Sequence, residues 1–229
     1  MPAIPAPRLR TLKNGLRVAW IEDPGSTAAA IEVFVNVGSR YEDPQINGVS
    51  HFIEHLMFKG TRARPTAQAI SRDLDRFGAD YNAATGKDRT SYYVKIEADR
   101  LLHGIDVLHD MLAHSTFKAA EINRERGVII EEINMYEDNP QSHMVDLLDG
   151  MAFGEHPLGW NIAGTRDVIR AVPRAAILAY RDRYYVPERM VLAVAGRLPK
   201  GTWQALEGTF GTWKRCPEAA AYAPSAFPG

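Results

Sequence analysis

Two histidines and one glutamate stand close together in the segment 48–60, GVSHFIEHLMFKG, whose other residues are mostly apolar. In a helix of about 100° per residue, His51 and His55 lie one turn apart on the same face, with Glu54 beside them. Two imidazoles at this spacing can bind one metal ion, and a neighbouring carboxylate can act as a general base on water. Two core histidines satisfied by hydrogen bonds are the alternative. The order His-x-x-Glu-His favours the metal site, because burying three such groups without compensation is costly.

A third metal ligand has to come from elsewhere in the chain, because a catalytic zinc site normally takes three from the protein. Cysteine occurs once, at Cys216, which excludes a cysteine-based site and leaves histidine, aspartate or glutamate. The segment 121–138 is the best supplier. It is predicted to be helical and offers Glu121, Glu125, Glu131 and Glu132.

Helical phase separates these four glutamates. The core-facing stripe of the helix is predicted from apolar residues that fall within about 60° of one another, namely Ile122, Ile129, Ile133 and Tyr136. Glu131 points away from that stripe, whereas Glu125 and Glu132 lie two turns apart on one flank of it. We therefore predict Glu132 as the ligand and Glu125 as a supporting residue. A solvated acidic face is the alternative, and it explains Glu131 better than the other two.

The elements that must hold these residues are strands and a block of helices. Strand-like runs separated by turn signals are found at 15–22, 28–38, 79–97 (a hairpin) and 189–196. Helical patterns fill most of the remainder, notably 66–78 and a long block from about residue 99 to 153. Strands before and after a helical block predict an α+β fold rather than a strictly alternating one.

The sequence resembles the insulinase/pitrilysin family of zinc metallopeptidases, which includes the mitochondrial processing peptidase. The resemblance rests on GVSHFIEHLMFKGT (48–61) and on ERGVIIEEINMYEDNP (125–140). In that family a glutamate ligand follows the second histidine at a similar distance, and here 76 residues separate His55 from Glu132. The family's second glutamate, seven positions before the ligand, corresponds to Glu125. Helical phase and the resemblance thus select the same two glutamates.

The resemblance implies an architecture as well. It implies a mostly antiparallel sheet with helices packed mainly on one face, in a unit that forms half of a peptide-holding chamber. A second family domain, or a second subunit in a homodimer or heterodimer, is expected to close that chamber. Residues 1–215 are accordingly predicted to form the zinc-bearing peptidase domain. The Ala- and Pro-rich residues 216–229 are predicted to be a linker or truncated tail toward a second domain.

The function implied is a zinc-dependent endopeptidase acting on unfolded peptides or short polypeptides. His51, His55 and Glu132 would hold Zn²⁺. Glu54 would be the general base, and Glu125 would assist the site. A strand segment similar to the family's Asn-Ala-x-Thr is expected to bind the substrate in extended conformation, through Asn82, Ala83, Ala84 and Thr85. An ordinary hairpin strand is the alternative for this segment.

Two other functions remain open. One is a hydrolytic or lyase activity on a small molecule, since S-ribosylhomocysteine lyase shares an inverted motif, although in a shorter chain. The other is a non-catalytic structural subunit of the same family, or an inactive half that needs its partner. All five key positions, two histidines and three glutamates, are intact, and this favours the peptidase.

Composition limits the classes of partner and the cell compartments that we expect for this chain. A net charge of −1 and a pI near 6.7 give no basic surface for nucleic acid. No run approaches the roughly 18 consecutive apolar residues of a membrane span. The single cysteine allows no intrachain disulfide, and the start of the sequence has no signal-peptide core. These features predict the cytoplasm, with the periplasm as an open alternative.

Overall fold

Six strands in the described part of the chain, residues 5–216, form one sheet in this computed structural model. They are β1 (Arg8–Thr11), β2 (Arg17–Glu22), β3 (Ala28–Val35), β4 (Asp80–Thr85), β5 (Thr90–Glu97) and β6 (Met190–Gly196). Their order across the sheet is β1-β2-β6-β3-β5-β4. Among these strands β2 and β6 are the one parallel pair, and the other neighbours are antiparallel. The predicted mostly antiparallel sheet of an α+β fold is confirmed.

Eight α-helices lie within the same residues. They are α1 (Val49–Met57), α2 (Ala67–Asp75), α3 (Leu101–His114), α4 (Ala119–Asp138), α5 (Pro140–Phe153), α6 (Arg166–Ala171), α7 (Arg174–Tyr184) and α8 (Thr202–Gly208). Asn139 separates α4 from α5, because its side chain accepts hydrogen bonds from the first backbone N–H groups of α5. Pro140 fits the first helical position, where no N–H is needed.

One face of the sheet is buried and the other is half-exposed, because successive side chains of a strand point to opposite faces. Val33 of β3 lies between Leu192 of β6 and Tyr92 of β5, and all three are buried. Its neighbour Glu32 pairs with Tyr93 on the opposite face, where both remain partly exposed. Helices therefore cover mainly one face, as predicted.

The N-terminal edge strand differs from the sequence-based expectations. β1 is not predicted by the sequence, because all four of its residues are exposed and show no apolar alternation. Its place comes from backbone pairing with β2. Of the predicted segment 216–229, all but Cys216 lies outside the described residues. No helix within 5–216 combines the length and the apolar character needed to cross a membrane.

The helix α1 is held at its N-terminus by a buried carboxylate and by a loop that is distant in sequence. Buried Glu42 accepts hydrogen bonds from the backbone N–H groups of Gly48 (2.7 Å) and Ser50 (2.7 Å). Gly48 has φ +94°, and a Cβ there would stand 2.4 Å from the Ala163 carbonyl oxygen. Only glycine fits this left-handed, crowded position. The first turn of α1 is thereby locked against a loop more than a hundred residues away.

The helix α5 is unusual because it contributes no buried residue to the described part of the chain. Four of its apolar side chains fall on one stripe and are between 54 and 86% exposed: Met144, Leu147, Leu148 and Met151. Its polar residues Asp146 and Asp149 face the rest of the molecule instead, Asp146 accepting a hydrogen bond from Asn161 (2.6 Å). The apolar side of α5 therefore faces outward, and its polar side faces the rest of the protein.

Candidate metal centre

Three ligand atoms from α1 and α4 converge on one point. His51 Nε2 lies 3.1 Å from His55 Nε2, and Glu132 Oε2 lies 3.7 Å and 3.4 Å from these two nitrogens. Ligands about 2.0–2.1 Å from a tetrahedral zinc ion stand about 3.3–3.4 Å apart. The two nitrogens and one oxygen thus match a zinc ion in number, in kind and in mutual distance.

This convergence follows from the spacing of the two histidines on α1 and from the position of Glu132 on α4. His51 and His55 are one turn apart on α1, and α4 packs against α1 through its buried residues. On α4, Glu132 faces the two imidazoles from beside buried Ile133. Glu131 is exposed and accepts a hydrogen bond from the Asn134 side chain (3.4 Å), as the predicted phase requires.

Glu125 lies behind the ligands rather than among them. Its Oε1 is 2.8 Å from His55 Nδ1, and its Oε2 is 2.8 Å from Lys59 Nζ. Burial alone would raise the pKa of Glu125, but the hydrogen bonds from His55 and Lys59 outweigh it and hold the pKa below its ordinary value. The carboxylate therefore accepts the Nδ1 proton of His55, and the lone pair of His55 Nε2 is left facing His51 and Glu132.

His51 is in the protonation state that a metal ligand needs. Burial, with the added effect of neighbouring His55, lowers the pKa of His51 to about 4. Its ring is accordingly neutral at pH 7. Within residues 5–216 its Nδ1 atom is buried without a hydrogen-bond partner, which leaves Nε2 as the nitrogen engaged at the site.

Glu54 lies beside the three ligand atoms and is held from the opposite side. Its Oε2 accepts a hydrogen bond from the Thr85 hydroxyl of β4. Burial raises the pKa of Glu54, although Thr85 and His55 pull it back toward the ordinary value. A carboxylate with a raised pKa and a fixed orientation is suited to take up a proton and release it again.

A cleft of about 570 Å³ opens over these groups, between β4 and α5. Three of the four residues predicted to bind substrate line it, namely Ala83, Ala84 and Thr85. Asn82 is not among the residues that line the cleft; its side chain is exposed, and its Oδ1 accepts a hydrogen bond from the Ala83 backbone N–H (2.9 Å). β4 is the last strand of the sheet, so one of its backbone edges has no neighbouring strand within the described residues.

Other residues of the cleft were not identified from the sequence. Asn161 and Asp146, joined by their hydrogen bond, line the wall opposite β4. Nothing in the sequence near either residue indicates the other, since the contact joins two separate elements. The prediction that Tyr136 faces the core is wrong, because Tyr136 is 40% exposed and lines the cleft. Its helical phase is right, but α4 extends beyond the core at this point.

Comparison with known proteins identifies the family. Residues 17–166 match the family described as Insulinase (Peptidase family M16), and this match contains α1 and α4 entirely. The chain belongs to this family. The resemblance drawn from the two motifs is therefore confirmed.

Relatives within the insulinase family are proteases by name. The uncharacterized zinc protease YmxG of Bacillus subtilis (strain 168) is 39% identical over 204 residues, covering 89% of this chain and 50% of the relative. The probable mitochondrial-processing peptidase subunit beta of Arabidopsis thaliana is 37% identical over 192 residues, covering 84% of this chain and 36% of the relative. These names place the chain in a metallopeptidase family.

A solved structure agrees with the sequence relatives. The crystal structure of a protease from Helicobacter pylori matches with a TM-score of 0.90 and 27% sequence identity. The match covers 97% of this chain and 54% of that one. The chain thus spans about half the length, or less, of the insulinase-family proteins that it matches here.

Proposed function

We propose that the chain is the zinc-bearing part of an endopeptidase that cleaves peptides bound in extended conformation. The observation that carries this proposal is the convergence of His51 Nε2, His55 Nε2 and Glu132 Oε2, with the Glu54 carboxylate beside them in an open cleft. The zinc-protease names of the relatives support the metal.

The residues have distinct roles in this proposal. His51, His55 and Glu132 hold the zinc ion, which when bound polarises the scissile carbonyl and makes water more acidic. Glu54 takes the proton of the attacking water and then delivers it to the nitrogen of the leaving amine. Glu125 fixes the ring of His55 through Nδ1.

The substrate binds along the free edge of β4. An extended peptide can add to such an edge through backbone hydrogen bonds, which recognise conformation rather than sequence. The edge passes directly beside Glu54, because Thr85 of β4 is hydrogen-bonded to that carboxylate. Unfolded segments can reach the edge, whereas folded domains would first have to expose a strand.

A second unit of the same family is the proposed partner. The chain spans half of YmxG and 54% of the Helicobacter pylori protease chain, and a further family domain or subunit would cover the open side of the cleft. The alternative is an inactive isolated half that binds zinc and needs a partner domain to cleave peptides. The single cysteine still favours a reducing compartment such as the cytoplasm.

The test of this function is Glu54→Gln, assayed on a fluorogenic unfolded peptide with zinc content measured in parallel. We expect zinc to be retained and cleavage to fall by at least about 10²-fold. Glu131→Gln is the matched control, because that residue is exposed on the helix that carries Glu132. Unchanged turnover in Glu54→Gln would contradict the proposal. A wild-type protein that binds zinc without cleaving would point to the isolated half.

A further inference from the structure

Lys59 lies just beyond the end of α1, on the stripe that carries both histidines. It follows His55 by four residues, and its backbone N–H donates to the Leu56 carbonyl (3.1 Å), so the helical path continues to this point. Gly60 then turns the chain away, with φ +128° and no room for a Cβ beside the Pro65 carbonyl oxygen (2.6 Å). Lys59 is thus the last residue that can extend along this stripe.

The Lys59 ammonium group contacts Glu125 and no metal-facing atom. Its Nζ is 2.8 Å from Glu125 Oε2, while Glu125 Oε1 is 2.8 Å from His55 Nδ1. Each carboxylate oxygen therefore has one partner, and the three side chains form a continuous row. The Glu125 side chain is 2% exposed and that of Lys59 is 28% exposed. The row runs from the protein surface to the back of a metal-facing imidazole.

Glu125 needs this partner because it is a buried carboxylate. Within residues 5–216 Lys59 is the one lysine or arginine at ion-pair distance from it. Removing the ammonium group would leave Oε2 buried with no partner, and a buried charge without a partner is strongly disfavoured. The carboxylate would then turn toward another donor, and that movement weakens its hold on the Nδ1 proton of His55.

The sum of the charges around the cleft also indicates that Lys59 is needed. Glu54, Glu125 and Glu132 place three carboxylates close to the two histidines. A divalent ion neutralises two of these negative charges, and Lys59 neutralises the third. Without the lysine the assembled site would carry a buried net negative charge.

We propose that Lys59 is a positioning residue that acts through Glu125 to keep His55 Nε2 aimed at the metal. This inference rests on the metal site proposed above and adds a residue to its support. Partners behind metal ligands contribute about 10- to 100-fold in metal affinity. The expected effect of Lys59 lies in that range.

The experiment compares zinc affinity in three variants by competition with a chromophoric chelator. Lys59→Met removes the charge and is expected to weaken zinc binding by about 10- to 100-fold. Lys59→Arg keeps the charge and should restore affinity to within a few-fold of the wild type. Lys95→Met removes the same charge from an exposed position of β5 that is not part of the row, and should leave affinity unchanged.

Two further measurements separate positioning from loss of structure. Circular dichroism and the thermal midpoint of the metal-free variants establish that Lys59→Met folds, and Lys59→Gln is the milder substitute if it does not. Substitution with Co²⁺ should give a visible absorption spectrum that is altered in Lys59→Met and normal in Lys59→Arg, because the spectrum reports ligand geometry.

The outcomes distinguish this inference from the function it rests on. Wild-type zinc affinity in folded Lys59→Met would overturn the role of Lys59 and leave the metal site intact. Equal weakening in Lys59→Met and Lys95→Met would assign the effect to net charge and also overturn it. A wild-type protein that binds no zinc would remove the proposed function itself.

Discussion

Burial shifts the pKa values of two groups around α1 in opposite directions. The pKa of His51 falls from 6.5 to about 4. Between these two pH values its imidazole stays neutral in the folded chain, whereas a free histidine would be charged. Burial raises the pKa of Glu42 to about 7, against the pull of the Ser50 and Gly48 backbone N–H groups. Both residues therefore couple the stability of the same helix to pH, with opposite sign.

For His51 the expected result is a loss of stability in acid. Between pH 6.5 and 4 the unfolded state takes up a proton that the folded state refuses, so unfolding becomes easier as pH falls. His51→Gln should remove up to about 3 kcal/mol of this dependence in metal-free protein. Urea unfolding at several pH values in this window measures it. Parallel curves for wild type and variant would contradict the pKa assigned to His51.

For Glu42 the dependence runs the other way. Its folded pKa of about 7 exceeds the ordinary value of 4.5, so its contribution to stability declines as pH rises from 4.5 to 7. Glu42→Gln should abolish that decline. It should also cost about 1–3 kcal/mol, because an amide N–H would face a backbone donor of α1. Glu32→Gln, on the half-exposed face of the sheet, is the control in the same urea titration.

At the scale of elements, the loop around Ala163 packs on the N-terminus of α1 with almost no clearance. Gly48 and Gly164 are the contact: both have positive φ, and a Cβ on either would stand within 2.4 Å of the opposing backbone. The position of the two imidazoles relative to the cleft wall depends on this fit, since His51 lies only three residues beyond Gly48.

Substituting Gly48 separates steric contact from backbone strain. Gly48→Ala adds both, whereas Gly78→Ala adds strain alone, because Gly78 has φ +61° and no atom of residues 5–216 lies within 4 Å of the added Cβ. We expect Gly78→Ala to cost about 1–2 kcal/mol and Gly48→Ala to cost at least twice as much. Chemical unfolding measures both. Equal losses would show that the loop yields to the extra methyl group.

How far the sequence predicts these elements depends on whether the information is local. The spacing of His51 and His55, and the phase of Glu132 on α4, are properties of single helices and were predicted. Glu42 and Asn161 were not, because their partners lie in other elements and only the folded chain brings them together. β1 was missed for a related reason, since its exposed residues carry no pattern and only its pairing defines it.

At the scale of the whole molecule, the outward apolar stripe of α5 lies beside the cleft. Within the described residues this helix is held by polar contacts such as Asn161–Asp146, and its apolar side chains take no part in the core. An exposed apolar surface of this kind is typical of a site that another surface covers. The stripe agrees with the proposal that a second unit completes the cleft.

Substitutions in the apolar stripe of α5 should therefore have little effect on the stability of this chain. Leu148→Glu is expected to alter the free energy of unfolding by no more than about 0.5 kcal/mol, because Leu148 is 63% exposed. Leu108→Ala, at a buried position of α3, should cost about 2–5 kcal/mol. Leu148→Glu should also reduce binding of a hydrophobic dye. A large loss of stability in Leu148→Glu would mean that the stripe already packs within the chain.

The position of β6 determines when this sheet can be completed during synthesis. β6 lies between β2 and β3, yet it begins at Met190, after every residue of the candidate metal centre has been made. Until it arrives, β2 and β3 each present an unpaired backbone edge to the other across an empty place in the sheet. Of the six strands in residues 5–216, the central one is thus the last to emerge from the ribosome. A ribosome-bound chain that stops short of residue 190 would already contain the three proposed metal ligands, while β2 and β3 were not yet joined by β6.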